Sequence, residues 1–329
     1  MKAVRFHAHG GPDVLRFEDV PDPVPREGEA LVRVRACALN HLDLWQRRGI
    51  DRVRIPLPHI SGSDVSGIVE DSPAGTVPPG TRVMLYPGLG CRQCAECRAG
   101  RDNLCAAYDV LGYRSDGGYA EQAVIRADFA VRLPERFADL AAAPLLCGGV
   151  IGYRALRVSG IRPGERLGLY GFGASALLAI QVALHWGCQV FVATRSPAEQ
   201  RRAREMGAEW AGSYEDPPPV PLDAAVTFAP AGDVVVAALR ALDRGGVVAI
   251  NAIHLDRIPE FPYDLLWWER QIRSVANFTR RDAQDFVDLA ARIPIHTLAE
   301  PYPLTEANPA LLRLKEGRVA GAAVLHAGR

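Results

Sequence analysis

Four cysteines fall within fifteen residues, in the pattern Cys91-x-x-Cys94-x-x-Cys97-x(7)-Cys105. Four thiolates at this spacing can close a tetrahedral zinc site with no open position, which makes such a zinc structural. The chain has seven cysteines, an odd number, so the cluster reads as metal-binding before it reads as disulfides. A second constellation is Gly171-Phe172-Gly173-Ala174-Ser175-Ala176. The first glycine suits a tight turn, the second lets a pyrophosphate approach the backbone, and the small Ala176 allows close helix–sheet packing. About twenty residues on comes Thr194-Arg195-Ser196, where no acid stands to bind a ribose diol. Arg195 can pair with a 2′-phosphate and Ser196 can donate to it, so the local chemistry favours NADPH over NADH.

These motifs need elements to hold them. The segment Arg166–Tyr170 reads as a strand, Leu177–Trp186 as a helix and Gln189–Ala193 as a second strand. Ser196-Pro197-Ala198-Glu199 is a capping box opening a helix to about Met206. A strand at Ala224–Phe228, a helix at Asp233–Leu242 stopped by Gly245-Gly246, and a strand at Val247–Asn251 follow. Strands alternating with helices predict an α/β, doubly wound parallel sheet. Residues 1–140 are different: short strands such as Lys2–Phe6, Ala30–Ala36, Gly67–Glu70 and Arg82–Leu85, separated by turns. Asp139–Val158 reads as one helix, and Trp267-Trp268 precede a strand at Ile272–Ala276. That aromatic pair reads as core packing or as a wall of a substrate pocket.

The 329 residues suggest about two domains. Lys+Arg and Asp+Glu are both 38, so no bulk attraction to nucleic acid or an anionic membrane is expected. From Leu167 to Thr194 no residue is charged, but glycines, polar residues and the strand-to-helix change argue against a membrane span. Met1-Lys2-Ala3-Val4-Arg5 shows no apolar signal segment, and the expected location is cytoplasmic.

Taken together, the four-cysteine lobe, Asp116-Gly117-Gly118-Tyr119-Ala120-Glu121, Pro144-Leu145-Leu146-Cys147 and Gly171–Ala176 resemble the zinc-type alcohol dehydrogenase family of the medium-chain dehydrogenase/reductase superfamily. The resemblance implies a GroES-like catalytic domain at 1–148 and 279–329, carrying the lobe at about 88–106. It also implies a Rossmann domain at 149–278. It places Ile253 and His254 near a nicotinamide, makes Arg280 a pyrophosphate candidate, and implies a homodimer or homotetramer with Arg273–Asn277 at a subunit edge.

The catalytic metal site departs from the family pattern. Members that use this zinc carry Cys where this chain has Asn40, and Gly-His-Glu where it has Gly62-Ser63-Asp64. The third position is kept as Cys147, and the relay hydroxyl is replaced by Leu42. Asn40 and Gly62–Gly67 look instead like the quinone-oxidoreductase-like branch. Without zinc to polarise a simple carbonyl, a conjugated acceptor is the easier substrate, since its developing charge spreads to a distant oxygen. Asn40 is the first candidate donor to that oxygen. His41 is a second polar group or lies near the cofactor phosphates, and Asp64 either orients one of these residues or is a purely structural carboxylate. Tyr86 and Tyr113 are further possible donors. The expected function is NADPH-dependent hydride transfer to a quinone or α,β-unsaturated carbonyl, with one structural zinc. The alternative is a zinc-dependent alcohol or aldehyde dehydrogenase whose atypical site draws on Asp64, Cys147 and His59 or His41.

Overall fold

The computed structural model describes residues 1–49, 54–253, 255 and 257–328. His254, assigned above to the nicotinamide, lies outside the described residues. The chain divides into two compact units. One comprises Met1–Cys147, Thr279–Ala291 and His296–Arg329, and the other Gly148–Phe278 and Arg292–Ile295.

The first unit is β-rich. Its seven-stranded sheet runs Ala130–Arg132, Arg82–Leu85, Asp64–Asp71, Glu29–Ala38, Ala322–His326, Ala299–Pro303, with Gln122–Arg126 also paired to Glu29–Ala38. The strand Glu29–Ala38 is the hub. It alternates buried and exposed positions until its last three residues, which are all buried. There it pairs Cys37 with Val65 and Ala38 with Asp64, so the sheet carries Asp64 into the interior beside the end of its neighbour. A helix, His41–Arg48, follows directly. A small sheet of Leu15–Asp19, Lys2–Phe6 and His59–Ile60 adds a further layer. The hairpin Gly88–Leu89 and Asp109–Val110 closes the base of the cysteine lobe.

The second unit is a six-stranded, all-parallel sheet. Its order is Trp210–Gly212, Gln189–Ala193, Arg166–Tyr170, Leu222–Thr227, Leu242–Ile250, Gln271–Ser274. The central strands are buried on both faces, as parallel strands flanked by helices must be. The uncharged run Leu167–Thr194 is thus a strand, a helix and a strand of this core. Among the described residues no helix is long and apolar enough to cross a membrane.

Two expectations need correction, and one strand was not foreseen. Asp139–Val158 is not one helix: it breaks into Asp139–Ala142, two irregular turns and Ile151–Ser159. Pro144 lacks the N–H that a continuous helix would need. Gly245-Gly246 does not stop a helix outside the sheet but lies inside the strand Leu242–Ile250, whose pairing slips in register near it. The strand Trp210–Gly212, three residues long, is too short to show a pattern in the sequence.

Candidate functional site

In the lobe, the sulfur atoms of Cys91, Cys94, Cys97 and Cys105 lie within 4.8 Å of one another. Cys94 starts a one-turn helix, Ala95–Arg98, and its sulfur accepts the Cys97 N–H at 3.4 Å. The Cys105 sulfur accepts the Cys91 N–H at 3.5 Å. Backbone N–H groups of Gln93 and Cys94 pull the Cys91 thiol down to about 6, whereas burial pushes Cys97 up. N–H donors on sulfur favour thiolate, the form that binds zinc. Geometry and donor type both fit a closed zinc site.

A second cluster forms around the end of the strand Glu29–Ala38. Asn40 caps the helix His41–Arg48, and its backbone N–H donates to Asp43 Oδ2 at 2.7 Å. Tyr119 Oη donates to the same Asp43 carboxylate at 3.0 Å. Tyr119 can reach it because the chain turns tightly at Gly62, with φ +105°. A Cβ there would lie 2.5 Å from the Tyr119 ring and 2.8 Å from Cys37 Sγ. Gly117 is equally constrained: its Cβ would meet the Gly62 carbonyl oxygen at 2.2 Å. The Gly117-Gly118 dipeptide therefore lets one backbone lie on another and delivers Tyr119 inward.

Asp64 is the other buried carboxyl. Its Oδ1 accepts the Cys147 N–H at 3.0 Å. Burial, opposed by the Asn40 and Ser63 side chains and assisted by the charge of Asp43, pushes Asp64 up to about 7. Burial pushes Asp43 to about 6. The thiols of Cys37 and Cys147 are driven well above the usual range, first by burial and then by these two carboxyls. Asn40 Nδ2, Ser63 Oγ and Asp43 Oδ1 are buried without a partner that meets hydrogen-bond geometry.

The structure thus brings Asn40 and Asp64 together and leaves His41 apart, as an exposed first residue of its helix with its ring 6.3 Å from Trp45. His59 donates from Nε2 to the Gly112 carbonyl at 2.9 Å, and its Nδ1 is 3.7 Å from Asp116. Among the described residues, the lobe holds the only group of three or more His, Cys, Asp or Glu donors close enough to share a metal. Asp64, Cys147, His59 and His41 do not form one, so the donors present do not fit a catalytic zinc. Sequence reasoning missed Asp43 and Tyr119 as members of this cluster. The signal was available in Asn40-x-x-Asp43, an N-cap followed three residues later by an acid. Tyr86 is no donor here, since its hydroxyl bonds Gln284 at 3.3 Å.

In the second unit, Gly171 turns with φ +94° after the strand Arg166–Tyr170, and Phe172 is buried beside it. Gly173 caps the helix Ala174–His185 without a side chain, and a Cβ there would meet nothing within 4 Å. The first-turn N–H groups of Ala174, Ser175 and Ala176 are thus left for an anion. Ala176 is fully buried where helix meets sheet. These residues fit a dinucleotide pyrophosphate.

At the end of Gln189–Ala193, Arg195 is exposed, and Ser196 Oγ accepts the Glu199 N–H at 3.4 Å as an N-cap. The strand end itself carries no acid, but the fold brings one close to it. Glu199 reaches back from its helix to accept a hydrogen bond from the Thr194 hydroxyl, instead of completing the capping box. Ile253 is exposed in a turn. Arg280 belongs to the first unit, where its backbone N–H donates to Asp102 at 3.0 Å and its guanidinium to the Asp128 carbonyl at 2.7 Å. Trp267 and Trp268 are not core: both are half exposed, with Arg244 stacked 4.0 Å over Trp268.

Residues 26–135 match the profile of the alcohol dehydrogenase GroES-like domain, and 176–292 that of the zinc-binding dehydrogenases. A Mycobacterium tuberculosis (strain CDC 1551 / Oshkosh) protein named "probable alcohol dehydrogenase AdhA" is 44% identical over 99% of this chain and 97% of its own. The chain belongs to the zinc-type alcohol dehydrogenase family. An alcohol dehydrogenase of Geobacillus stearothermophilus is 32% identical over 94% of this chain and 95% of its own. A solved NAD-dependent alcohol dehydrogenase superposes with a TM-score of 0.90, at 28% identity and full coverage of both chains. The protein is accordingly an oxidoreductase of the medium-chain superfamily, with a GroES-like and a Rossmann-like part. The family implies a nicotinamide cofactor and zinc.

Proposed function

We propose that the protein reduces quinones or α,β-unsaturated carbonyls with NADPH, without a catalytic zinc, and keeps one structural zinc in the cysteine lobe. The observation that carries this reading is the buried pair Ser63 and Asp64 with the half-buried Asn40 beside them, whose neighbours among the described residues do not gather into a metal-binding group. The nicotinamide supplies hydride when bound. The chain's part is to hold the substrate oxygen as it gains charge, by hydrogen bonds from groups with unspent donors, of which Asn40 Nδ2 and Ser63 Oγ are two. The exposed Arg195 supports NADPH by offering a guanidinium to a 2′-phosphate, while Glu199 beside Thr194 opposes it. The reading places the enzyme in the cytoplasm, where reduced thiols can hold zinc. It includes a homodimer or homotetramer built on the strand Gln271–Ser274, which is a sheet edge flanked by exposed Trp267 and Trp268.

The test is zinc per chain in protein purified without chelator, together with turnover of a cyclic enone, a benzoquinone and an aromatic alcohol. About one zinc and NADPH-dependent reduction of the enone or quinone are expected. About two zincs, with chelator-sensitive oxidation of the alcohol, would establish the second reading, an alcohol dehydrogenase with an atypical metal site. The names of the relatives and the contact between Asp64 and the Cys147 backbone favour that alternative. For the cofactor, Arg195→Asp is expected to lower the NADPH/NADH preference by about tenfold or more, the loss of one charge-assisted contact. An unchanged ratio of kcat/KM values would remove Arg195 from the site.

A further inference from the structure

The cysteine lobe sits against a flank that carries more positive charge than the carboxylates around it can balance. We infer that Arg92, Arg126 and Arg280 are the counter-charge of a zinc-loaded tetrathiolate in the lobe, and that Arg280 thereby ties the helix Arg280–Arg292 to the loaded lobe. The inference rests on the structural zinc proposed above and is independent of the substrate.

Three guanidiniums share one carboxylate. Arg92 Nη1 donates to Asp128 Oδ2, Arg126 Nη2 donates to the same oxygen at 3.3 Å, and Arg280 Nη1 lies 3.8 Å from it. Arg126 and Arg280 also lie over the buried Phe129 ring, 5.0 and 5.5 Å from its centre. The neighbouring acids have bonds of their own: Glu96 with Arg101, Asp285 with Arg281, Asp282 with Thr279, and Asp102 with the Arg280 backbone N–H. Even with Asp102 set against the three arginines, cations are in excess. One surface ion pair adds little to stability, and further cations on the same carboxylate repel the first. Burial, and then the charges of Arg92 and Arg280, hold Arg126 below its usual range, with the charge of Cys91 opposing them.

The excess is balanced once the thiolates are counted. A divalent zinc held by a closed set of thiolates leaves that set with net negative charge. The arginines and the sulfurs face one open groove of about 500 Å³, lined by Gly90, Arg92, Cys97, Asp102 and Arg280 among others. The Gly90 backbone runs along the Cys97 sulfur, since a Cβ on Gly90 would lie 3.2 Å from it. Arg126 Nη1 donates to the Gly90 carbonyl at 3.4 Å, one residue before Cys91. Arg280 bonds on both sides: its backbone N–H to Asp102 of the lobe at 3.0 Å, and its guanidinium to the Asp128 carbonyl at 2.7 Å. It opens its helix just after the chain re-enters the first unit at Thr279, so charge in the lobe bears directly on the start of that helix.

The test uses the full-length zinc-loaded protein and the rate at which zinc passes to a chromogenic pyridylazo chelator. Arg126→Gln and Arg280→Gln should each speed release by about tenfold at low salt, the low end for groups that surround a metal's ligands. High salt should shrink the effect, because these side chains are partly exposed. Arg126→Lys keeps the charge without the planar fork and should stay within about threefold of wild type. Asp128→Asn separates counter-charge from scaffolding. Removing the competing anion should slow zinc release, whereas arginines that merely brace the chain around Asp128 would let it speed up. Faster release from Asp128→Asn, or an Arg126→Gln rate within about twofold of wild type, overturns the inference. Hydrogen exchange reads the helix itself: stripping zinc from the wild type should speed amide exchange in the first turn of Arg280–Arg292. Unchanged exchange there removes the part given to Arg280. Wild-type protein that binds no zinc at all would defeat the structural-zinc reading, and the inference with it.

Discussion

In the cysteine lobe, successive donors are never more than eight residues apart, and the only fully covered ligand is Cys105. Around Asp64, the participating groups come from positions 37, 40, 43, 62–64, 119 and 147, and nearly all are buried. Both clusters lie in the same unit. The lobe organises itself from local backbone turns that point N–H groups at sulfur, and a bound metal would fix it further. The carboxyl cluster exists only because a sheet, a helix cap and a stack of glycines converge. The first is written in spacing, and the second in packing.

That contrast can be broken by paired substitutions. Gly62→Ala puts a Cβ 2.5 Å from the Tyr119 ring at a left-handed backbone position. A loss of about 2–4 kcal/mol is expected from overpacking and backbone strain together. Gly100→Ala in the lobe also sits at positive φ, but its Cβ would meet nothing within 4 Å. Only the backbone term of about 1 kcal/mol remains. Denaturant unfolding of both variants decides it, and equal losses would mean that the carboxyl cluster is not close-packed.

A smaller effect sharpens the comparison through pH. The folded protein raises Asp43 to about 6 and Asp64 to about 7 from an ordinary value near 3.8. A carboxyl raised by folding binds its proton more tightly in the native state. Its contribution to stability is therefore full below about pH 3.8 and is lost as pH rises through 6 to 7. Asp64→Asn should flatten the decline in stability between pH 4 and 8, so that the variant gains on wild type as pH rises. In the lobe the sign is opposite: Arg101 holds Glu96 below its usual value, and its contribution disappears as pH falls. Glu96 is exposed, so salt should erase that trend and leave the Asp64 trend intact. Melting temperatures across pH at low and high salt would show whether the two slopes separate.

Much of the α/β unit was legible in the sequence. Arg166–Tyr170 and Gln189–Ala193 are strands at the expected residues, because a buried parallel strand is a short apolar run bounded by glycine turns. The Ser196 cap and the helix after it were legible for the same local reason. What failed was non-local. Glu199 reads as a capping-box acid, yet the Thr194 hydroxyl donates to its carboxylate instead. Trp267 and Trp268 are large and apolar, and only the fold shows that they lie on the surface beside a sheet edge.

The sequence by itself determined the family, the parallel sheet, the glycine turn that faces a pyrophosphate and the four-cysteine site. The glycine turn and the four-cysteine site each rest on residues within about fifteen positions of one another, where local backbone geometry sets the outcome, and the family and the sheet are sums of such local signals along the chain. It also determined that the usual Cys and His of the catalytic zinc site are absent, since identity at a position needs no folding. Only the tertiary structure decided that Asp43 and Tyr119 join Asn40 and Asp64, that His59 is spent on a carbonyl, and that burial raises the two carboxyls of that cluster. Burial and charge compensation are sums over neighbours drawn from the whole chain, and spacing along the sequence carries no term for them.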